Sequence, residues 1–324
     1  MDLEVVAETP ARDVARGIAE QLAAAGVPSP DADARWLVEG ICGVDPHRTP
    51  ERPLPADRVG ALRDATVRRA VREPLQLIVG STSFRGIELT CRPGIFVPRP
   101  ETEVVAGLAI AAARARGPGP VQVVDACTGS GAIACCLVVE VPEVRVVATD
   151  RDPAAVDLAR DNLVRVRDGH AGVAGFAPGS DAEVVRCELL DGVDSGLRGH
   201  LDVLVANPPY LPASDADHLA AEVALHDPHA ALFGGAQGHE IVDRLLELAA
   251  QWLRPAGVVV LEIDARLGQA ALAAAARAGL ATGELVRDLT GRHRALVARR
   301  ADTDEALPCP PRAGTADRRA EAGS

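Results

Sequence analysis

The chain is 324 residues long, 48% hydrophobic and 25% charged, with aromatics at only 2%, so it has room for one large core and a small second domain built from Leu, Val, Ile and Ala. Lys and Arg total 34 against 46 Asp and Glu, a formal net charge of -12, which argues against a nucleic-acid enzyme with a broad basic face. The seven cysteines offer no paired Cys-x-x-Cys and no histidines at zinc spacing; their odd number, with no basic leader in residues 1–10, points to a reducing cytoplasm.

The first stretch reads as helices. Val14, Ile18 and Leu22 fall on one helical face that stops at Gly26. Ser29-Pro30 reads as an N-cap followed by proline at the first helical position, opening a helix through Trp36, Leu37 and Ile41. After a proline-rich connection over 46–55, a third helix is expected to bury Val59, Leu62, Ala70 and Val71. Nothing in this bundle has a catalytic pattern.

From about Thr82 short apolar runs alternate with helical stretches. Strands are expected at 121–124, 144–149, 184–186, 203–206 and 258–262, and helices at 132–139, 153–167 and 238–253. That alternation predicts a doubly wound α/β sheet. Beyond about Arg300 apolar periodicity is lost, and the proline-rich tail, which carries Cys309, reads as disordered. No apolar run reaches the roughly 20 residues that span a bilayer.

Val121-Gln-Val-Val-Asp-Ala-Cys-Thr-Gly-Ser-Gly131 reads as a buried strand entering a glycine turn, then a helix. Gly129 and Gly131 allow a ligand to approach the backbone, and Asp125 at the strand end can take a ligand's ammonium directly or through water. The next strand ends in Thr149-Asp150, where a carboxylate can accept from two ribose hydroxyls. The spacing fits a nicotinamide cofactor, S-adenosylmethionine, or a plain strand-to-helix turn. Ala134 stands where the dinucleotide pattern wants its third glycine.

Asp202-Val-Leu-Val-Ala-Asn207-Pro-Pro-Tyr210 narrows the choice. Two prolines remove two N–H donors, so the backbone there offers carbonyls. A planar amino group needs two in-plane acceptors, and the Asn207 side-chain oxygen and the Pro208 carbonyl supply both, while Tyr210 can lie against the flat acceptor. A sulfonium methyl is already activated, so transfer is chiefly in-line positioning. An amide nitrogen is a poor nucleophile, and holding both hydrogens favours the transition state in which charge develops on it. No general base is needed before transfer, and the motif contains none. The bland alternative is a proline-terminated strand followed by a loop.

With these residues stated, the chain resembles the release factor glutamine methyltransferase family (HemK/PrmC type) over roughly residues 10–300. Beyond the acceptor motif, the likeness rests on Arg72-Glu-Pro-Leu-Gln-Leu-Ile-Val-Gly80, Phe84-Arg-Gly, Val97-Pro-Arg-Pro-Glu-Thr-Glu103, His226-Asp-Pro-His-Ala-Ala-Leu-Phe-Gly-Gly235 and Asp288-Leu-Thr-Gly-Arg292. The resemblance implies a Rossmann-like, seven-stranded class I S-adenosylmethionine-dependent methyltransferase fold. It divides the chain into an N-terminal helical substrate-recognition domain (1–80), a β-hairpin linker (81–100), the methyltransferase domain (101–300) and a tail (301–324). It implies methylation of the Gly-Gly-Gln glutamine of peptide chain release factors, with no nucleic acid or membrane partner. By position, Cys127, Thr128, Gly129, Ser130, Gly131 and Asp150 would hold the cofactor, with Asp125 and Asn207 beside it; Leu189 would pack on its adenine. Asn207, Pro208, Pro209 and Tyr210 would bind the glutamine amide, with Asn207, Pro208 and Tyr210 acting in catalysis.

The chain departs from the family pattern at four places. Cys127 replaces a frequent glycine, Cys187-Glu188 a Gly-Asp or Ser-Asp, Leu189 a tryptophan of some members, and Asp264 the glycine of Glu-Ile-Gly. These leave room for a paralogue that methylates another protein. Methylation of a nucleic-acid base amine, and cofactor binding without catalysis, are the competing readings; the acidic charge opposes the first and the intact acceptor motif the second. Arg99 and Glu101 either orient the hairpin over the site or form a surface ion pair worth under about 1 kcal/mol. His226 and His229 have only Asp227 nearby as a third ligand, so no metal is expected. Cys135 and Cys136 read as small packed hydrophobes.

Overall fold

A computed structural model of the chain describes residues 9–219 and 221–302; residues 1–8 and the tail from 303, with Cys309, lie outside the described residues. Four helices come first: α1 (Ala11–Ala24), α2 (Pro30–Cys42), α3 (Ala56–Ala70) and α4 (Leu75–Val79). Val14, Ile18 and Leu22 of α1, Leu37 and Val38 of α2, and Val59 and Leu62 of α3 close on one another as a separate apolar cluster. Full burial of each such side chain contributes roughly 1.5–3 kcal/mol. Pro30 opens α2 with Ser29 at the N-cap, but the serine side chain makes no capping hydrogen bond, and Gly43 ends the helix in the left-handed conformation. The expected helix through Trp36, Leu37 and Ile41 is present, with Trp36 on its outer side at 49% exposure. One expectation fails: Val71 is 68% exposed, because it falls on the C-cap of α3, past its last turn.

A β-hairpin follows, β1 (Ser81–Phe84) against β2 (Ile87–Thr90). Its pairing ends at Thr90, short of the expected residue 100, and residues 91–101 continue as a loop. Phe84, Ile87 and Leu89 sink into the same core as the central sheet. The Asn162 Oδ1 accepts from the Thr90 N–H at 2.8 Å, while its Nδ2 donates to the carbonyls of Thr90 at 3.2 Å and Ser130 at 2.9 Å. Arg85 grips Glu140 with two parallel bonds of 2.9 and 3.0 Å. The hairpin is thereby fastened to the sheet domain.

The seven-stranded sheet has the order β10-β11-β9-β6-β3-β4-β5, where β3 is Val121–Ala126, β4 Val144–Asp150, β5 Asp181–Arg186, β6 Leu201–Ala206, β9 Leu253–Glu262, β10 Leu280–Arg287 and β11 His293–Arg300. All pairings are parallel except those of β11, which runs antiparallel to both neighbours. The valine-rich runs suit strands covered on both faces, and alternation divides their side chains between two cores. Val123, Val203 and Val205 face α5 (Thr102–Arg114), α6 (Ala132–Glu140) and α7 (Pro153–Arg167). Val124, Leu204 and Ala206 face α10 (Glu240–Trp252) and α11 (Gly268–Arg277). Beside the sheet lie two short helices, α8 (Ala221–His226) and α9 (His229–Leu232), and the two-stranded pair β7 (Leu211–Pro212) and β8 (Phe233–Gly235). Among the described residues no helix is long and apolar enough to cross a membrane.

The order of strands reverses at β3, whose crossovers lead to β4 on one side and whose other neighbour is β6. In open α/β sheets ligands bind at the carboxyl ends beside such a reversal.

Candidate active site

Register brings the site together. Ala126 pairs with Thr149 on β4 and with Ala206 on β6, and Ala206 pairs with Leu261 on β9. One residue further along each strand, Cys127, Asp150, Asn207 and Glu262 therefore form one row across the carboxyl edge of the sheet.

The glycine turn is clamped from behind. The Thr128 hydroxyl donates to Asp125 Oδ2 at 2.6 Å and the Ala134 N–H donates to the same oxygen at 3.1 Å. The Gly129 N–H donates to Asp150 Oδ2 at 2.9 Å, and the Asp152 N–H to Asp150 Oδ1 at 3.0 Å. Gly131 has φ +81°, and a Cβ there would lie 3.1 Å from the Ala159 backbone, so the third residue of the turn must be glycine for α7 to pack this closely. Cys127 also has a positive φ of 56°, which costs a non-glycine residue about 1 kcal/mol. Burial pushes its thiol up, keeping it protonated. Asp125 is completely buried and its Oδ1 has no hydrogen-bond partner, so burial pushes its carboxyl up to about 7. Burial also raises Asp150. Among the described residues neither carboxylate has a basic side chain within ion-pair distance, which leaves the turn open to a cationic ligand.

The acceptor motif is held by residues that its own pattern does not reveal. Asn207 Nδ2 donates to Thr102 Oγ1 at 3.1 Å, the Thr102 hydroxyl donates to Glu262 Oε2 at 2.7 Å, and the Tyr210 hydroxyl donates to Glu262 Oε1 at 3.2 Å. Burial raises both the Glu262 carboxyl and the Tyr210 phenol. On the outer side, Leu211 pairs with Phe233 and Pro212 with Gly235. A Cβ on Gly234 would lie 2.4 Å from the Pro209 carbonyl oxygen, so the Gly234-Gly235 pair lets β8 lie directly against the motif.

These parts enclose a cavity of about 650 Å³, within the usual size of small-molecule sites. Of the sequence-predicted residues, Cys127, Thr128, Gly129, Ser130, Asp150, Leu189, Asn207, Pro209 and Tyr210 line it. Asp125, Gly131 and Pro208 do not: Asp125 lies behind the turn holding Thr128 and Ala134, Gly131 packs on α7, and Pro208 is buried beside Asn207. Leu189 is buried with φ +49°, and its carbonyl accepts the Thr149 hydroxyl at 2.7 Å. Arg99 lines the cavity and pairs with Asp227 on the facing segment, not with Glu101, so of the two alternatives the surface pair within its own motif is the one that does not form. Asp227 is buried with its second oxygen unpartnered. Sequence reading missed Thr102, Asp227 and Glu262 as site residues. The signals for Glu262 were an acid closing an otherwise apolar strand and its place in the Glu-Ile-Gly block that Asp264 interrupts.

The chain is similar to known proteins over most of its length. Residues 13–80 match the PrmC N-terminal domain and residues 108–237 the methyltransferase small domain. A release factor glutamine methyltransferase of Streptomyces coelicolor is 39% identical, covering 87% of this chain and 95% of its own. One from Mycobacterium tuberculosis is 40% identical over 75% of this chain and 76% of its own, and one from Deinococcus radiodurans 38% identical over 90% and 98%. With a methyltransferase fold, an acceptor motif beside a cation-ready turn and relatives this similar over nearly the whole chain, the protein belongs to the release factor glutamine methyltransferase family.

Proposed function

We propose that this protein transfers a methyl group from S-adenosylmethionine to the side-chain amide nitrogen of a glutamine, the Gly-Gly-Gln glutamine of peptide chain release factors, in the cytoplasm. The observation that carries this reading is that Asn207 and Tyr210 share one cavity with Asp150 and the glycine turn. The residues fit the cofactor: the unpartnered oxygen of Asp125 and the unpaired carboxylate of Asp150 suit a molecule with two positive centres and a ribose diol. S-adenosylmethionine supplies a methyl group already activated by its sulfonium.

Asp150 accepts the ribose hydroxyls on the lone pairs its two backbone donors leave free. Cys127 to Ser130 hold the methionine portion, with Gly131 letting the turn close on α7 and Asp125 adding negative potential from behind the turn, and Leu189 packs on the adenine. Asn207 Oδ1 accepts one amide N–H and the Pro208 carbonyl accepts the other, although the Pro208 ring itself is buried outside the cavity wall, and Pro209 and Tyr210 lie against the flat amide. These acceptors strengthen as positive charge develops on nitrogen; preorganised contacts of this kind are worth about 10²–10³ in rate. The proton leaves after transfer, when the nitrogen has become acidic. The helical segment 1–80 recognises the protein substrate, residues 81–100 link it, and 101–300 carry out catalysis. A net charge of -12 suits a protein substrate better than nucleic acid.

The test is methyl transfer from labelled S-adenosylmethionine to a release factor, to its Gly-Gly-Gln→Gly-Gly-Ala variant and to duplex DNA. Label on the release factor alone supports the reading. Label on DNA overturns it, and label on the alanine variant moves the target to another residue.

A further inference from the structure

Asn207 has two chemically opposite ends, and the two-acceptor clamp works only if its oxygen faces the substrate. An NH2 turned that way would meet the amide NH2 of a glutamine, donor against donor. Something must hold the amide in one sense, and the buried contacts around it do so by proton counting.

We propose that Glu262 is a positioning residue that fixes which end of the Asn207 amide faces the acceptor, acting through the Thr102 hydroxyl. Glu262 lies one residue past Leu261, level with Asn207 across the β6–β9 pair. Glu262 is 1% exposed and Thr102 4%, so water does not complete their bonds. An ionised carboxylate has acceptors only, so the protons in both of its contacts come from Thr102 and Tyr210. A threonine hydroxyl has one proton. Once that proton points at Glu262 Oε2, Oγ1 has only lone pairs to offer Asn207, and the atom 3.1 Å away must be Nδ2. The Asn207 oxygen is then the end left for the substrate. Burial raises the Glu262 carboxyl above the usual carboxylate range, and Thr102, Arg294 and Tyr210 offset only part of that rise, so the proton count holds for the ionised form.

The inference rests on the reading of Asn207 as the amide clamp, and its test separates the two. Glu262→Gln keeps the shape but adds a donor, so Thr102 can turn its proton to Asn207 and the amide can flip. Turnover on a release factor is expected to fall by about 10- to 100-fold, with S-adenosylmethionine affinity unchanged within about twofold. In an Asn207→Asp background the sign reverses: Thr102 lone pairs face a carboxylate, and adding Glu262→Gln lets the hydroxyl donate to it. The double variant is expected to turn over faster than Asn207→Asp alone. A merely structural Glu262 gives loss in both backgrounds. Thr102→Val, which cannot accept from Nδ2, is the second variant should Glu262→Gln fold poorly; it too is expected to lose turnover with cofactor affinity kept.

Unchanged turnover in Glu262→Gln or Thr102→Val, or no gain in the Asn207→Asp background, overturns the proposal. Asn207→Ala is measured in parallel. If it is inactive while the relay variants are normal, only the relay is wrong; if it is fully active, the clamp reading itself falls.

Discussion

The Gly129 N–H donates to Asp150 Oδ2 over 2.9 Å, which joins the glycine turn after β3 to the acid that ends β4. A backbone donor from one half of the cofactor site is thus held by the side chain of the other, and the two halves form or fail together.

Asp150→Ala is therefore expected to weaken S-adenosylmethionine binding by about 10- to 100-fold, the loss of charge-assisted hydrogen bonds together with a loosened turn. Asn207→Ala is expected to leave that affinity within about threefold while abolishing transfer. Isothermal titration of both variants distinguishes the roles; equal loss of affinity in the two contradicts them.

Gly234→Ala probes the outer wall of the acceptor motif. The new Cβ would sit 2.4 Å from the Pro209 carbonyl oxygen and 2.5 Å from that of Gly238, both backbone atoms that must move. A displacement of about 1 Å at a reacting centre costs on the order of 10²-fold in rate. Turnover is expected to drop on that scale in steady-state assays, with cofactor affinity retained.

Asp125 gives the protein a pH signature. Its carboxyl is pushed up to about 7 by burial, against an ordinary value of about 3.9 in the unfolded chain. Between those values the folded state binds more protons than the unfolded one, so this group's contribution to stability is full at low pH and falls as pH rises toward 7. Asp125→Asn removes the titration. Melting temperatures measured from pH 5 to 8 are expected to fall more steeply for the wild type than for the variant; parallel curves would place the Asp125 titration elsewhere.

The helical segment is tied to the region after the acceptor motif through Arg69, which bonds Asp33 at 2.7 Å and Glu222 at 3.0 Å with only 6% of its side chain exposed. Removing one partner of a buried pair strands the other charge, so Arg69→Met is expected to cost about 3–5 kcal/mol in denaturant unfolding. Arg92 and Asp161, 45% and 55% exposed, make the control, and Arg92→Ala should cost less than about 1 kcal/mol.

How much was legible in the sequence followed from how local each signal is. The valine runs ending at Ala126, Asp150, Ala206 and Glu262 announced parallel strands because each is covered on both faces, and Gly131 announced the turn because a side chain would strike Ala159. The strands β10 and β11 and the helices α5 and α11 were missed: alanine-rich helices and strands that mix charged with apolar residues carry little periodic contrast. Thr102, Asp227 and Glu262 were missed for another reason. Their meaning comes from partners more than 50 residues away, set by strand register and by a loop crossing that no local pattern encodes.

The most direct test of the central claim is the chemical identity of the atom that receives the methyl group. After reaction with labelled S-adenosylmethionine, the modified release factor is hydrolysed in acid and the label followed. Transfer to a glutamine amide nitrogen predicts labelled methylamine released together with unlabelled glutamate. Label retained on an amino acid through carbon, oxygen or sulfur would contradict the account.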